Sequence, residues 1–302
     1  MVSNVRNGPM KIKPKNVYLS LRAKRSNLQD RHVPPLAGLA MTVFLVLMLF
    51  PVPGYAAKIP ERSYPTVDQP KQEFFVGEKL VYSIRYLGIP IGRAEGWIKE
   101  VVEIRGRKAY HIVVKIASTT VVDLIYKVRG EHHTYIDVEK LYSLRYQVQS
   151  SKNPSQTAFE MNFDHPKNVV DYFYARRKIH KIFPIFKDSQ DRLSLGYFFR
   201  TLAVKPHEVV SIPVSTEQKN WKIQIKTQGT RKMIFSGVGT FEAIQILPKL
   251  DFVSTLKGEG SVRAWISLDE RRIPLQLEAR APLIGSIKVS LIAYTPGEPR
   301  RK

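Results

Sequence analysis

The sequence predicts a mainly β protein: a curved antiparallel sheet or partly closed barrel, with one packed helix over about residues 188–204. Three observations predict it. Apolar and polar residues alternate with period two in many short runs, turn residues separate those runs at close intervals, and one segment alone has helical spacing. Short strands joined by frequent turns favour antiparallel pairing over βαβ units, whose crossovers need about a dozen residues.

Residues 1–56 read as a signal peptide or an N-terminal membrane anchor. Residues 36–50 (LAGLAMTVFLVLMLF) are uncharged and apolar, and they follow a basic stretch that includes Arg22, Lys24, Arg25 and Arg31. A secretory apolar region takes roughly 7–15 residues and a membrane-spanning helix about 20, so the run has the length of the former. Gly54 and Ala56 supply the small side chains for a cut after Ala56. The basic stretch is long, so a start at Met10 and an uncleaved, tilted anchor over residues 36–50 stand as alternatives. Each reading places the bulk of the chain beyond the inner membrane.

Residues 57–72 read as a linker, with Pro60, Pro65 and Pro70 and little apolar content. Residues 73–295 read as a single β domain and 296–302 as a basic tail. Within the domain, Leu80, Tyr82, Ile84 and Tyr86 alternate with Ser83 and Arg85, as one half-buried strand requires. Runs 110–116, 141–148, 169–174, 221–226, 262–266 and 286–294 pass the same test. Alternation implies one covered and one wet face.

The helical segment has Leu193, Tyr197 and Leu202 on one stripe, widened by Leu195, Phe198 and Phe199. Asp188 or Ser189 is its expected cap. Gly196, which costs about 1 kcal/mol inside a helix, predicts close packing or a bend there.

The whole chain has a formal net charge of +22, and its part after residue 56 about +15. Beyond the inner membrane the available polyanions are lipid phosphates, lipopolysaccharide and acidic glycans, not nucleic acid. Most basic residues alternate with apolar ones, as on the solvated face of a sheet. There is no cysteine, so the fold uses no disulfide and the mature N-terminus carries no lipidated thiol.

Residues 75–96 (FVGEKLVYSIRYLGIPIGRAEG) carry Gly77-Glu78-Lys79-Leu80, Tyr82, and Gly88-Ile89-Pro90 with Gly92. Later come Tyr126-Lys127-Val128-Arg129 leading to Asp137, Asp188-Ser189-Gln190-Asp191, and Ala264-Trp265-Ile266-Ser267-Leu268-Asp269 followed by Arg272-Ile273-Pro274. In combination and order, from about Phe74 to Tyr294, these resemble the DUF3108 family of exported Gram-negative bacterial proteins without an assigned activity. The resemblance implies a periplasmic or envelope-facing, antiparallel β protein. It supplies no catalytic residues.

The residues themselves single out no chemistry. Glu131-His132-His133 invites a metal, but neighbours on a strand face opposite sides, so the two histidines need a bulge to chelate together. Glu131, His133 and Asp137 share a face, and His111 joins them only if its strand pairs there. No G-x-S-x-G elbow occurs, and Ser194 falls in the helical segment. Glu78, Glu95, Asp123, Asp137 and Glu259 form no evident hydrolytic pair. Gly77, Gly88, Gly92 and Gly96 read as turn or bulge glycines. No catalytic residue, metal or cofactor is expected.

One constellation suits a ligand. Residues 119–129 (TTVVDLIYKVR) are apolar on more than one side and carry Asp123, Lys127 and Arg129. With Tyr86, Trp97, Tyr126, Tyr135 and Trp265 they make a candidate aromatic groove with a basic rim, fit for an acyl chain or glycan with an anionic head. The alternative is that these aromatics are core. The expected role is non-catalytic binding of an amphiphilic or anionic envelope component, in the periplasm or at a membrane surface. A hydrolase acting on glycan or lipid, and a structural module in envelope assembly, are the alternatives.

Overall fold

The computed structural model describes residues 74–125, 127–149, 157–216, 219–249, 261–281 and 285–298. The expected leader and linker and most of the tail lie outside them. The first meander contains β1 (Lys79–Tyr86), β2 (Ile89–Ile104), β3 (Arg107–Ser118), β4 (Arg129–Asp137), β5 (Ser143–Gln149), β6 (Thr157–Asp164), β7 (Val169–Tyr174) and β8 (Ile179–Pro184). The second contains β9 (Val209–Thr216), β10 (Lys219–Phe235), β11 (Gly239–Lys249), β12 (Ser261–Ser267), β13 (Pro274–Ala281) and β14 (Gly285–Thr295).

All fourteen strands form one antiparallel sheet. Pairing of β1 with β14 joins the meanders at its middle and leaves β8 and β9 as the outer strands. Those two do not pair, so the sheet is not closed. The connector between them instead covers part of the β9 edge. The Gln190 N–H donates to the Pro213 carbonyl and the Ser215 N–H donates to the Gln190 carbonyl, both at 2.8 Å. Asn220 on β10 donates its side-chain amide to the Pro184 carbonyl at the end of β8 (2.7 Å).

The seven runs with clear alternation all lie in strands, although β5 starts two residues after the run 141–148. Four of the remaining strands, β2, β9, β11 and β13, contain features that hide a two-residue repeat. β2 shifts register against β1 at Ile84/Arg85 and against β3 at Ile98/Glu100, and each bulge moves the pattern by one residue. β9 contains Pro213, β11 contains Pro248, and β13 starts at Pro274. Gly77 and Gly88 are turn glycines as expected, with φ of 89° and 87°. Gly92 and Gly96 instead lie inside β2. At Gly92 a Cβ would stand 2.8 Å from the Ala117 carbonyl oxygen, so the residue is needed for close strand approach.

Two α-helices are present among the described residues: α1 (Thr120–Asp123) and α2 (Ser194–Arg200). The second is the packed helix expected over 188–204, but shorter. Its lead-in is extended, because Gln190 is committed to the β9 edge. The cap is Asp191 rather than Asp188 or Ser189. Its buried carboxylate accepts the N–H groups of Leu193 (2.7 Å) and Ser194 (2.9 Å) and the hydroxyls of Thr134 on β4 (2.5 Å) and Ser143 on β5 (2.6 Å). Gly196 is exposed, with open space where a Cβ would go, so close packing does not explain it.

Both meanders fold onto α2. Tyr197 and Phe198 pack against Phe74, Ile98, Tyr110, Ile112 and Ile136. Phe199 and Leu202 pack against Ile212, Val214, Ile225, Ile244 and Ile266. Each such side chain contributes about 1.5–3 kcal/mol on burial, so one short helix ties strands from opposite ends of the sheet order. The expectation of one wet face fails at β11 and β12. Adjacent strand residues face opposite sides, yet Ala243 and Ile244 are both buried, as are Trp265 and Ile266. A second cluster of Leu80, Met233, Phe241, Trp265 and Leu275 covers the face away from Ile244.

Candidate functional site

The segment 119–129 forms a loop clamped at its neck. The Ser118 N–H donates to the Val128 carbonyl (3.1 Å), and the Val128 N–H donates to Ser118 Oγ (2.8 Å). Ser118 Oγ in turn donates to Asp123. Arg129 donates to both Asp123 oxygens, at 3.0 and 2.5 Å, and to Ser118 Oγ at 3.1 Å. Hydrogen bonds from Arg129 and Ser118 hold the Asp123 carboxyl below its ordinary range. The Thr119 N–H donates to the Ile91 carbonyl and so ties the loop to β2.

Above this polar neck the loop turns apolar side chains into solvent: Val121 is 73 %, Leu124 85 % and Ile125 67 % exposed. The β1–β2 turn stands at the same end of the sheet and adds Leu87 and Ile89, both exposed. Leu87 sits at φ 48°, beside Gly88 at 87°, the geometry of a two-residue hairpin turn. A bulky residue held left-handed is strained, and here it is also apolar and exposed. Isolated exposed leucines are ordinary on a protein surface; five large apolar residues on two turns at one end are not.

A second set lies on the face of β2–β5 away from α2. Trp97, Val113, His133 and Gln147 form one cross-strand row, and Glu100, His111, Tyr135 and Arg145 form the next. His111 Nδ1 bonds Glu100 Oε1 (3.0 Å), and His111 Nε2 bonds His133 Nδ1 (2.9 Å). His133 Nε2 lies 3.4 Å from Glu131 Oε1. Tyr135 stacks on His111 at 4.4 Å between ring centres. The ammonium groups of Lys79 and Lys115 lie 5.9 and 5.6 Å from the Trp97 ring, and the Arg145 guanidinium lies 5.8 Å from that of Tyr135.

Burial lowers the pKa of both histidines and favours neutral rings. With His111 donating to Glu100, its Nε2 accepts the His133 Nδ1–H. The two ring nitrogens meet head-on at a separation that fits a shared proton. Glu131, His133 and His111 therefore do come together, but Asp137 does not join them. Its carboxylate is taken by Arg107 at 2.5 Å and by the N–H groups of Glu139 and Lys140.

The six candidate groove residues divide among separate places. Trp97 and Tyr135 share the face just described. Arg129 forms the loop clamp. Tyr86 packs against Ile84, Ala94, Ile116, Ile287 and Val289. Trp265 is 3 % exposed in the second core cluster, with the Arg231 guanidinium 4.3 Å from its ring centre. Tyr126 lies outside the described residues. The candidate carboxylates are each engaged by a cation rather than by one another: Glu78 by Arg200, Glu95 by Lys79 and Arg93, Asp123 by Arg129, Asp137 by Arg107. Glu259 lies outside the described residues. Sequence reasoning passed over Leu87, Val121, Leu124 and Ile125 as individual residues. Their one signal was that 119–129 is apolar on more than one side.

No described helix is long and apolar enough to cross a membrane, which says nothing of strands. No curated protein matches the sequence. Among solved structures the chain is similar to the β-barrel-like protein of domain of unknown function DUF1849 from Brucella abortus. The identity is 9 % and the TM-score 0.49, over 74 % of this chain and 99 % of that one. It is similar also to a protein with a YmcC-like fold from Bacteroides fragilis, at 8 % identity and TM-score 0.33, with the same coverage. The hypothetical protein CT021 from Chlamydia trachomatis matches at 12 % identity and TM-score 0.28, over 74 % of this chain and 89 % of that one. The model of the family described as protein of unknown function (DUF3108) matches residues 81–292, spanning both meanders and the helix between them, and the chain belongs to that family.

Proposed function

We propose that this is an exported envelope protein that binds an amphiphilic or anionic envelope component without transforming it. The observation that carries the reading is the clamped loop, with exposed Val121, Leu124 and Ile125 held over the Asp123–Arg129 pair and beside Leu87 and Ile89. Apolar side chains next to fixed cations match a ligand with an acyl part and an acidic head. Of the candidate carboxylates, Glu78, Asp123 and Asp137 are each paired with an arginine. The leader over residues 1–56 supports export.

Native mass spectrometry of the protein purified from an envelope fraction, with organic extraction of bound material, tests the reading. The expected mass begins near Ala57, and the extract contains an acidic lipid or glycolipid in stoichiometric amount. An intact leader would make the protein membrane-anchored. An empty extract, together with no association with any envelope amphiphile, would overturn the binding role.

A further inference from the structure

The antiparallel order brings alternate turns to the same end of the sheet. The first-meander end that carries Leu87, Val121 and Leu124 also receives the β7–β8 turn. Consider the described turn residues at that end with the two strand residues flanking each turn. Within the first meander this selection gives Arg85, Lys127, Arg129, Arg176, Arg177 and Lys178. Against these six stands one described acid, Asp123. At the opposite end of the same meander the β2–β3, β4–β5 and β6–β7 turns yield five basic and four acidic residues. Within the first meander the described positive charge is therefore polarised, and it collects at the end that carries the exposed apolar side chains.

We propose that this end docks on the surface of an anionic phospholipid bilayer, with Val121, Leu124, Ile125 and Leu87 entering the interfacial region and the arginines and lysines meeting lipid phosphates. The proposal rests on the functional reading above and names its partner. Charge complementarity selects the occupant. A soluble protein partner would satisfy a fixed pattern of cations with fixed anions, whereas a leaflet of acidic headgroups satisfies cations spread over three turns and their strand ends at once. Apolar side chains on short turns reach the headgroup–acyl boundary without a buried backbone leaving water, because only the turn tips descend. The Ser118–Asp123–Arg129 clamp matters here. It pairs Asp123, the one described acid of these turns, with Arg129 and keeps the polar groups at the loop neck bonded as its tip leaves water.

Because the chain has no cysteine, single thiols can be placed at will. The full chain with Leu124→Cys, and separately with Lys187→Cys at the opposite end, is labelled with an environment-sensitive fluorophore and mixed with phosphatidylglycerol–phosphatidylcholine vesicles. The label at 124 should shift to an apolar signature and be quenched by lipid-borne quenchers, while that at 187 should stay aqueous. This contrast holds whether or not the leader remains attached. Pure phosphatidylcholine vesicles and high salt should weaken the signal. Neutralising the β7–β8 turn with Arg176→Gln, Arg177→Gln and Lys178→Gln should lower affinity about fivefold per charge, roughly a hundredfold in all. Unchanged circular dichroism and melting show that the variants fold.

Equal shifts at 124 and 187, or equal response to neutral and acidic vesicles, would overturn the proposal. So would a shift at 124 that needs only higher protein concentration, which would mean that copies of the chain pair through this end. If the label stays aqueous while a bound amphiphile is extracted from the purified protein, bilayer docking fails and the binding role stands. If both are negative, both fail.

Discussion

Arg200 on α2 grips Glu78, 122 positions earlier in the chain, through two hydrogen bonds of 2.9 and 2.6 Å. Both side chains are buried. Arg200 also donates to the Arg271 carbonyl (2.9 Å), and its guanidinium lies over the rings of Phe74 and Tyr197. The entry to β1, the helix and the β12–β13 turn therefore meet at one cation.

Removing one partner leaves the other charge buried and alone. Arg200→Met or Glu78→Gln should each destabilise by about 3–5 kcal/mol, whereas Glu78→Leu with Arg200→Met should recover much of that loss. Urea unfolding of the three variants checks it. Additive losses in the double variant would count against a coupled pair.

Asp191 is the acceptor for two backbone N–H groups of α2 and two strand hydroxyls. Asp191→Ala should cost about 3 kcal/mol or more, because it removes the helix cap and strands the Thr134 and Ser143 hydroxyls in the core. Asp191→Asn keeps an acceptor and should cost less. Amide hydrogen exchange of 193–200 should accelerate in the alanine variant before global unfolding.

His132 faces α2, bonded through Nδ1 to the Tyr146 hydroxyl at 2.8 Å, and its Nε2 is buried without a hydrogen-bond partner. Burial, with repulsion from Arg192 and His133, lowers its pKa to about 4 from an ordinary 6.5. The unfolded chain therefore binds a proton between those values that the folded chain refuses. The contribution is complete above pH 6.5 and is lost as pH falls through 6.5 toward 4, by up to about 3 kcal/mol. Burial shifts His111, His133 and His165 in the same direction. Unfolding free energies at pH 7, 5.5 and 4.5 should decline steeply, and less steeply in His132→Gln. Equal slopes would remove His132 from the account.

Two glycine substitutions should act in opposite directions. Gly92→Ala drives a Cβ against the Ala117 carbonyl oxygen and should destabilise by about 1–3 kcal/mol. Gly196→Ala meets nothing and should stabilise α2 by about 1 kcal/mol. Their melting temperatures should move apart from the parent.

Leu124→Ser should leave stability within about 0.5 kcal/mol of the parent, because the side chain already stands in water. A large loss would mean that Leu124 packs in the fold and is not held out for a partner.

The strands with unbroken alternation, β1, β3, β7, β10, β12 and β14, were legible because a two-residue repeat reports a backbone with one covered side. β2 and β13 were not, because bulges and proline interrupt the repeat that betrays a strand. The packed helix was legible from Leu193, Tyr197 and Leu202. Its cap was not, because Asp188, Ser189 and Asp191 look alike until one of them is buried beside Thr134 and Ser143. Of the site, Trp97 and Tyr135 were found as aromatics and Arg129 as a cation. Nothing in their spacing tells that Trp265 enters a second core while Tyr135 lies on the opposite face from Ile136.

The sequence by itself determined the local matters: the β class, the antiparallel habit, one packed helix, the absence of disulfides, and the excess of positive charge. These follow from properties that neighbouring residues express together. Only the tertiary structure decided that β1 meets β14, that Glu78 meets Arg200, and that the cations of the β1–β2, β3–β4 and β7–β8 turns collect at one end with an apolar loop. Those depend on pairings between residues far apart in the chain, and strand register and burial choose them by a free energy that no local pattern carries.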